Sequence, residues 1–364
     1  MTDLYFFILT AINLFILIFM CGLVKLSETL NPKQAKGFLA TFILIGGISI
    51  LEMISVLVDD GPVGLRWLNV MSNYLGFGLT PVVPICLAYT LERSERMSWG
   101  VKIAAAAEIL YLLVLTVSLF SSGLVFTVDA ANHYSRQKGF HIYMIMYYAG
   151  IMYLLVKTLE MARNFQNRGK ELIYGLTGFL AVGTLVQVLI PSVHITWLCV
   201  TLNAVLYFLY CNEMWNQLDG LTGLLSQKSY LNRTLNLRPE YRMLIVLDLD
   251  DFKYINDTYG HLAGDRCLRE IARCLKKAYS RYGNCYRIGG DEFCVLLREP
   301  EKEELCKEKF FWVMEKRRKV VSILPFVSYG SAELLEQESI RDTKARADQK
   351  MYEDKKEHKE RKGR

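Results

Sequence analysis

The spacing of apolar residues divides the chain in two. Up to about Asn212 the sequence is a series of long, nearly uncharged runs. Beyond it Lys, Arg, Asp and Glu become dense, and the apolar positions form short runs or recur at helical spacing. Seven apolar stretches in the first part, near 4–24, 37–58, 67–91, 101–122, 141–158, 172–191 and 193–213, are long enough to cross a bilayer as helices. A hydrocarbon layer of about 30 Å takes roughly 20 helical residues. The last two stretches are separated only by Pro191-Ser192-Val193-His194, a tight link that antiparallel helices can make. Pro81 and Pro84 remove backbone donors within the third stretch and predict a kink, beside Gly76 and Gly78 where a small pocket can open. From Tyr207 to Leu218 no Gly or Pro intervenes, so one helix is predicted to run on into the polar half. It stops at Asp219-Gly220-Leu221-Thr222-Gly223-Leu224.

In the polar half, Met243-Leu244-Ile245-Val246-Leu247 is a continuous branched run, the pattern of a strand covered on both faces. It ends in Asp248-Leu249-Asp250-Asp251. Carboxylates at the end of a buried strand stand where a cleft can form, and hard oxygen donors suit Mg²⁺. Cys267 to Ala278 has helical spacing through Leu268, Ile271, Leu275 and Ala278. Tyr286 to Leu297 then reads as two short strands joined by Gly289-Gly290, because glycine reaches the positive φ of a tight turn. Asp291 and Glu292 project from that turn. Alone, it would read as a surface hairpin with solvated acids. Together with the strand-end aspartates it supplies two acidic elements from separate parts of the chain, as metal-assisted phosphoryl transfer requires.

Charge adds an orientation. Lys25, Lys33, Lys36, Arg93, Arg96, Lys102, Lys157, Arg163, Arg168 and Lys170 fall on one side of the predicted spans, against Arg66, Arg136 and Lys138 on the other. The positive-inside bias makes the first side cytoplasmic, with the N-terminus outside and everything after the seventh span inside. The N-terminus lacks a basic region and a small-residue cleavage site, so its first apolar stretch reads as a retained span. The net charge of +6 sits largely in membrane-flanking loops and at the C-terminus, and gives no ground for nucleic-acid binding. Nine cysteines without a CxxC spacing read as buried free thiols in a reducing compartment. Glu52 and Glu108 lie within apolar spans, where an ionisable group marks either a ligand or ion site or a buried, hydrogen-bonded carboxyl. The outward loop 122–139 is either a sensor surface or a solvated connection.

The polar half resembles the GGDEF domain, the catalytic domain of bacterial diguanylate cyclases. The motifs that carry the resemblance occur in order: Asp219-Gly220-Leu221-Thr222-Gly223-Leu224, Asp248 through Gly264-Asp265, and Gly289-Gly290-Asp291-Glu292-Phe293. Val327-Ser328-Tyr329-Gly330 and Ala347-Asp348-Gln349-Lys350-Met351-Tyr352 follow. The apolar half resembles the seven-helix sensor region of some bacterial histidine kinases, through Tyr74-Leu75-Gly76-Phe77-Gly78-Leu79-Thr80-Pro81 leading to Leu87-Ala88-Tyr89-Thr90. The expected architecture is an all-α seven-helix transmembrane domain over 1–213, a short signalling helix over 214–219, and an α/β (α+β) domain over 219–364. That last domain would have a central sheet flanked by helices, like a nucleotide cyclase or polymerase palm.

The GGDEF resemblance implies that Asp248, the Leu249 carbonyl and Asp291 bind Mg²⁺ or Mn²⁺. It implies that Asn256 and Asp265 hydrogen-bond guanine, and that Phe252 and Lys253 hold the phosphates with Lys355 and Lys359. Glu292 would assist at the 3′-hydroxyl, while Gly289 and Gly290 let the nucleotide approach. The implied reaction joins two GTP into cyclic di-GMP in a homodimer on a bacterial inner membrane, under control of an unknown sensed ligand. Three departures from the family pattern stand out. Ser226-Gln227-Lys228 replaces Asn-Arg-Arg; Asp354-Lys355…His358-Lys359-Glu360 replaces Ala-Lys…Gly-Arg-Asn; and the Arg-x-x-Asp of a product site is replaced by Ser280 and Gly283. Three alternatives remain: a catalytically weak module relaying GTP or cyclic di-GMP binding, a transporter or lipid-modifying protein with a regulatory appendage, and mixed use of ATP and GTP.

Overall fold

A computed structural model describes residues 2–27, 30–92, 97–121, 123–164, 170–190, 195–235 and 240–362. They form two compact units, Met1–Glu213 and Met214–Arg364.

The first unit is helical. It contains α1 (Thr2–Leu26), α2 (Pro32–Val58), α3 (Arg66–Leu79), α4 (Val82–Thr90) and α5 (Trp99–Phe120). A small hairpin of β1 (Phe126–Val128) and β2 (Tyr134–Arg136) follows, then α6 (Phe140–Asn164), α7 (Lys170–Leu189) and, as far as Glu213, α8 (Thr196–Asn216). Helix α2 starts on a capping box in which the Asn31 side chain accepts from Gln34 N and the Gln34 side chain accepts from Asn31 N, with Pro32 at the first helical position. The kink expected from Pro81 is a break between α3 and α4, at Thr80-Pro81.

Among the described residues, five segments are long and apolar enough to span a membrane: Leu4–Leu26, Pro32–Val58, Val63–Thr90, Trp99–Phe120 and Phe140–Ala162. The sixth expected span is represented by a shorter apolar helix, Glu171–Val186, and the expected link Pro191 to His194 lies outside the described residues. The seventh falls in α8, whose Thr196, Thr201, Asn203, Asn212 and Glu213 dilute its apolar character. The loop expected to face outward contains the β1–β2 hairpin over its described residues 123–139. Arg66 Nη2 donates to Val128 O at 2.8 Å, and Asn132 Nδ2 to Val58 O at 2.5 Å, tying the hairpin to the ends of α2 and α3. Glu108 is buried, and both of its carboxylate oxygens lack a hydrogen-bond partner among the described residues.

The second unit contains α9 (Gln227–Leu235), β3 (Met243–Leu249), α10 (Phe252–Tyr259), α11 (His261–Tyr279), β4 (Gly283–Arg287) and β5 (Glu292–Leu297). They are followed by α12 (Glu303–Arg318), β6 (Val327–Glu333) and α13 (Ile340–Lys362). The strands form one antiparallel sheet in the order β4-β5-β3-β6. All of β3 is buried because both faces of the sheet are covered. Strand side chains alternate. Ile245, Leu247 and Leu249 therefore pack with Leu268, Ile271 and Leu275 of α11 and Phe310 of α12, while Leu244 and Val246 face Ala347 of α13 and Tyr230 of α9. Each such aliphatic side chain contributes roughly 1.5–3 kcal/mol on burial. The cysteines of this unit, Cys267, Cys274, Cys285, Cys294 and Cys306, are buried and unbridged.

Candidate active site at the end of the central strand

The alternation that buries Leu244 and Val246 under α13 places Asp248 on the same face, where β3 leaves the core. Asp248 stands opposite Glu292 of β5 and Ser328 of β6. The turn after β4 comes to the same place, for Leu249 N donates to the Asp291 carbonyl at 3.3 Å. From α13, Lys355 donates to Asp248 Oδ1. Burial raises the Asp248 carboxyl above its ordinary range; Lys355 pulls it down, and neighbouring Asp291 and Asp250 push it up. Burial likewise opposes the charge on Lys355, yet its bond to Asp248 and the nearby Asp250 and Asp291 hold the ammonium above the usual lysine range. Both directions follow from one arrangement, in which more carboxylates meet than Lys355 alone offsets.

Asp250, buried one residue pair further along, accepts from Ser328 Oγ at 2.6 Å and lies 2.8 Å from His358 Nδ1. His358 is three residues beyond Lys355, hence on the same face of α13. That helical spacing was the available signal for this partner, which the sequence comparison registered only as a departure. Asp251 takes a left-handed conformation, φ 55°, where the chain turns from β3 into α10. Such a conformation is strained for most residues but tolerated by Asp.

The turn itself corrects one expectation. Neither Gly289 nor Gly290 has a positive φ. What glycine supplies is space: a Cβ at Gly289 would lie 3.1 Å from Glu292 Oε2, and one at Gly290 would meet nothing within 4 Å. The shape of the turn comes from elsewhere. Arg287 Nη2 donates to Gly290 O at 2.8 Å while Nη1 reaches Asp219 Oδ1 at 3.2 Å. Burial works against the Asp219 charge, but bonds from Thr222 and Arg287 hold its carboxyl below the usual range. The opening motif thus acts as a clamp on the acidic turn.

The other predicted residues fall in two places. Phe252 and Asn256, on α10, lie against Gly264 of α11, where a Cβ would come within 2.0 Å of Asn256 Oδ1 and 3.2 Å of Phe252 Cζ. Asp265 is the next residue and lies 3.6 Å from Arg269. Lys253 and Lys359 are exposed, and neither pairs with Asp248 or Asp291 among the described residues.

The donor chemistry fits a divalent cation, since Asp248 and Asp291 are hard oxygen ligands in an excess of negative charge. Among the described residues, the tight grouping of three metal-type side chains lies elsewhere, at Asp59, Asp60 and His133. A cation at the acidic turn would therefore complete its shell with a backbone carbonyl or ligand oxygens. A raised Asp248 pKa means that the folded chain binds this proton more tightly than the unfolded one, so stability falls as pH rises through that window. Mg²⁺ should relieve the cost. Its increment in melting temperature is expected to be larger at neutral pH than at about pH 4, near the ordinary aspartate range, and to shrink in Asp248→Asn. An increment that is independent of pH would contradict this account.

Residues 216–361 match the family described as "Diguanylate cyclase, GGDEF domain", so the second unit carries a GGDEF domain. The chain is 37% identical over 105 residues to the diguanylate cyclase DgcZ of Escherichia coli, covering 28% of this chain and 36% of the relative. It is 35% identical over 150 residues to the probable diguanylate cyclase DgcI of the same organism, covering 40% of this chain and 33% of the relative. The chain thus spans about a third of the length of these relatives. Among solved structures, the GGDEF domain of DgcB from Caulobacter crescentus in complex with c-di-GMP is similar at 29% identity with a TM-score of 0.33, over 38% of this chain and 90% of that one.

Proposed function

We propose that the protein is a membrane-anchored diguanylate cyclase that condenses two GTP into cyclic di-GMP with release of two pyrophosphates. The observation that carries this reading is the meeting of Asp248 and the Asp291 turn beside Lys355 at the end of β3. Mg²⁺ or Mn²⁺, held by Asp248, Asp291 and the Leu249 carbonyl, would supply charge neutralisation at the triphosphate. Asn256 and Asp265 read guanine, Asp265 as an acceptor for the ring N–H and exocyclic amine. Phe252, Lys253 and Lys359 hold the phosphates, and Lys355 exchanges its carboxylate partner for phosphate oxygens when substrate arrives. Open space over Gly290 admits the nucleotide to the turn. Glu292 accepts the proton of the 3′-hydroxyl as the new O–P bond forms at the α-phosphate and the α–β anhydride breaks. Two such steps close the ring, so two domains, each presenting one GTP, must face each other in a homodimer.

In this reading α7 and α8 complete seven spans in a bacterial cytoplasmic membrane, with the N-terminus outside and the second unit in the cytoplasm. A signal received by the first unit sets the geometry of the pair. The alternative, a catalytically weak module that relays GTP or cyclic di-GMP binding, draws on the altered C-terminal segment, where His358 is engaged by Asp250. The full chain in nanodiscs, given GTP and Mg²⁺, distinguishes them. Cyclic di-GMP with two pyrophosphates per product is expected. Bound GTP without product would overturn catalysis in favour of the relay, and ATP run in parallel tests nucleotide choice.

Feedback by product should be weak. Ser280 ends α11 and Gly283 opens β4, and a Cβ at Gly283 would lie 2.5 Å from Leu296 O. An aspartate cannot occupy that position without moving backbone. Titration of the activity with added cyclic di-GMP should show no potent non-competitive inhibition; finding it would refute this expectation.

A further inference from the structure

The first unit contains a cavity of about 350 Å³ at its hairpin end. An apolar cavity of about 150 Å³ holds one benzene, so this one has room for two fused rings. Gly76 lines it one turn before α3 breaks, and a Cβ there would meet nothing within 4 Å. Aromatic rings form much of the wall. Phe77 and Tyr143 are in edge contact at 5.0 Å, and Tyr147 stacks beyond Tyr143 at 6.3 Å. Trp197, at the start of α8, adds an indole.

The charged side chains on the wall are already engaged within the protein. Arg136 hydrogen-bonds the Tyr134 side chain and lies 4.8 Å from the Phe140 ring centroid. Asp59 Oδ1 accepts from Tyr134 N at 2.8 Å and from Asn69 Nδ2 at 3.0 Å, and Glu52 has interactions of its own. A charged ligand would therefore leave water for a space that offers it no free counter-charge. Three uncharged polar groups are in the opposite condition. Asn73 directs its Nδ2 to Ser55 Oγ at 2.6 Å and to Asn69 Oδ1 at 2.8 Å, while its own Oδ1 accepts nothing among the described residues. The hydroxyl of Tyr147, a residue only 5% exposed, and the indole N–H of Trp197 likewise have no hydrogen-bond partner among the described residues. These three residues come from α3, α6 and α8, and the fold brings them to one wall. An acyl chain or a plain hydrocarbon in the cavity would leave their polar atoms dry and unpaired. Water would satisfy them but would also wet the rings.

We propose that this cavity binds a small, uncharged, hydroxylated aromatic compound, whose hydroxyl donates to Asn73 Oδ1 and accepts from Tyr147 or Trp197 while its ring packs among Phe77, Tyr143 and Tyr147. Binding there requires nothing of the second unit's chemistry, so its test stands apart from the cyclase assay. The full chain in nanodiscs is equilibrated by dialysis with 2-naphthol, naphthalene or 2-naphthoate, and empty nanodiscs of the same lipid give the blank for partitioning. Saturable binding of 2-naphthol is expected. Naphthalene, which lacks the hydroxyl, and 2-naphthoate, which carries a charge, should each bind about tenfold or more weakly, the scale of leaving one buried polar group unpaired. Tyr147→Phe combined with Trp197→Phe keeps aromatic rings but removes both donors, and should lower the preference for 2-naphthol over naphthalene by about tenfold. Gly76→Leu, which fills open space, should abolish binding while the helical circular dichroism is retained. No saturable binding of 2-naphthol, equal affinity for naphthalene or 2-naphthoate, an unchanged preference in the double variant, or undiminished binding in Gly76→Leu would each overturn the assignment.

Discussion

Asp291→Ala is expected to lower cyclic di-GMP synthesis by on the order of 10²–10³-fold, the scale of removing one group that stabilises transition-state charge. The loss should appear in turnover while the fold persists, because the Asp291 contribution to the turn is its backbone carbonyl, bonded by Leu249 N. Alanine keeps that bond. Removing a carboxylate from a site that already holds Asp248 and Asp250 should also relax the upward push on the Asp248 carboxyl. The measurement is product formation by wild type and variant in nanodiscs, with thermal unfolding as the control for structure. Equal turnover in the variant would remove Asp291 from the proposed machinery.

Gly330→Val is expected to produce the largest loss of stability in the second unit. A Cβ at Gly330 would lie 2.1 Å from Ala347 O and 2.5 Å from Met351 N, so α13 rests on the backbone of β6 with no flexible side chain between them. Backbone cannot swing aside as a side-chain tip can. Overpacking typically costs about 1–3 kcal/mol, and this position belongs at the upper end. For a unit of this size that is a fall of several degrees in melting temperature, at about 2–4 °C per kcal/mol. Function should suffer with it. Displacing α13 withdraws Lys355 from Asp248 and His358 from Asp250, so activity should fall even well below the melting point. An unchanged melting temperature would mean that α13 can be lifted without cost, contrary to this packing.

The local patterns were legible wherever one short segment determined them. The branched run 243–247 is the core of β3, and the apolar spacing of 267–278 lies within α11. Proline in the third apolar stretch marked the break between α3 and α4. The acidic strand end and the acidic turn were each visible, and strand pairing brings them together through Asp248 opposite Glu292. What stayed hidden depends on packing between distant segments. The Asp250–Ser328–His358 set joins residues 78 and 108 positions apart; the helical spacing of Lys355 and His358 put both on one face of α13 but did not name Asp250 as the partner. The Gly289-Gly290 pair misled because turn glycines are read through φ, whereas here they leave room beside Glu292 and over the turn. Seven apolar stretches were counted by length alone. Polar residues in α8 and the shorter run in α7 set those two apart from the five strongly apolar segments.

The account depends on one divalent cation being shared by Asp248 and Asp291 at a bound triphosphate. Electron paramagnetic resonance of Mn²⁺ with the full chain and a non-hydrolysable GTP analogue tests this directly. The predicted result is a tight Mn²⁺ signal that requires the analogue and disappears in both Asp248→Asn and Asp291→Asn. A signal of equal strength in either variant would contradict it.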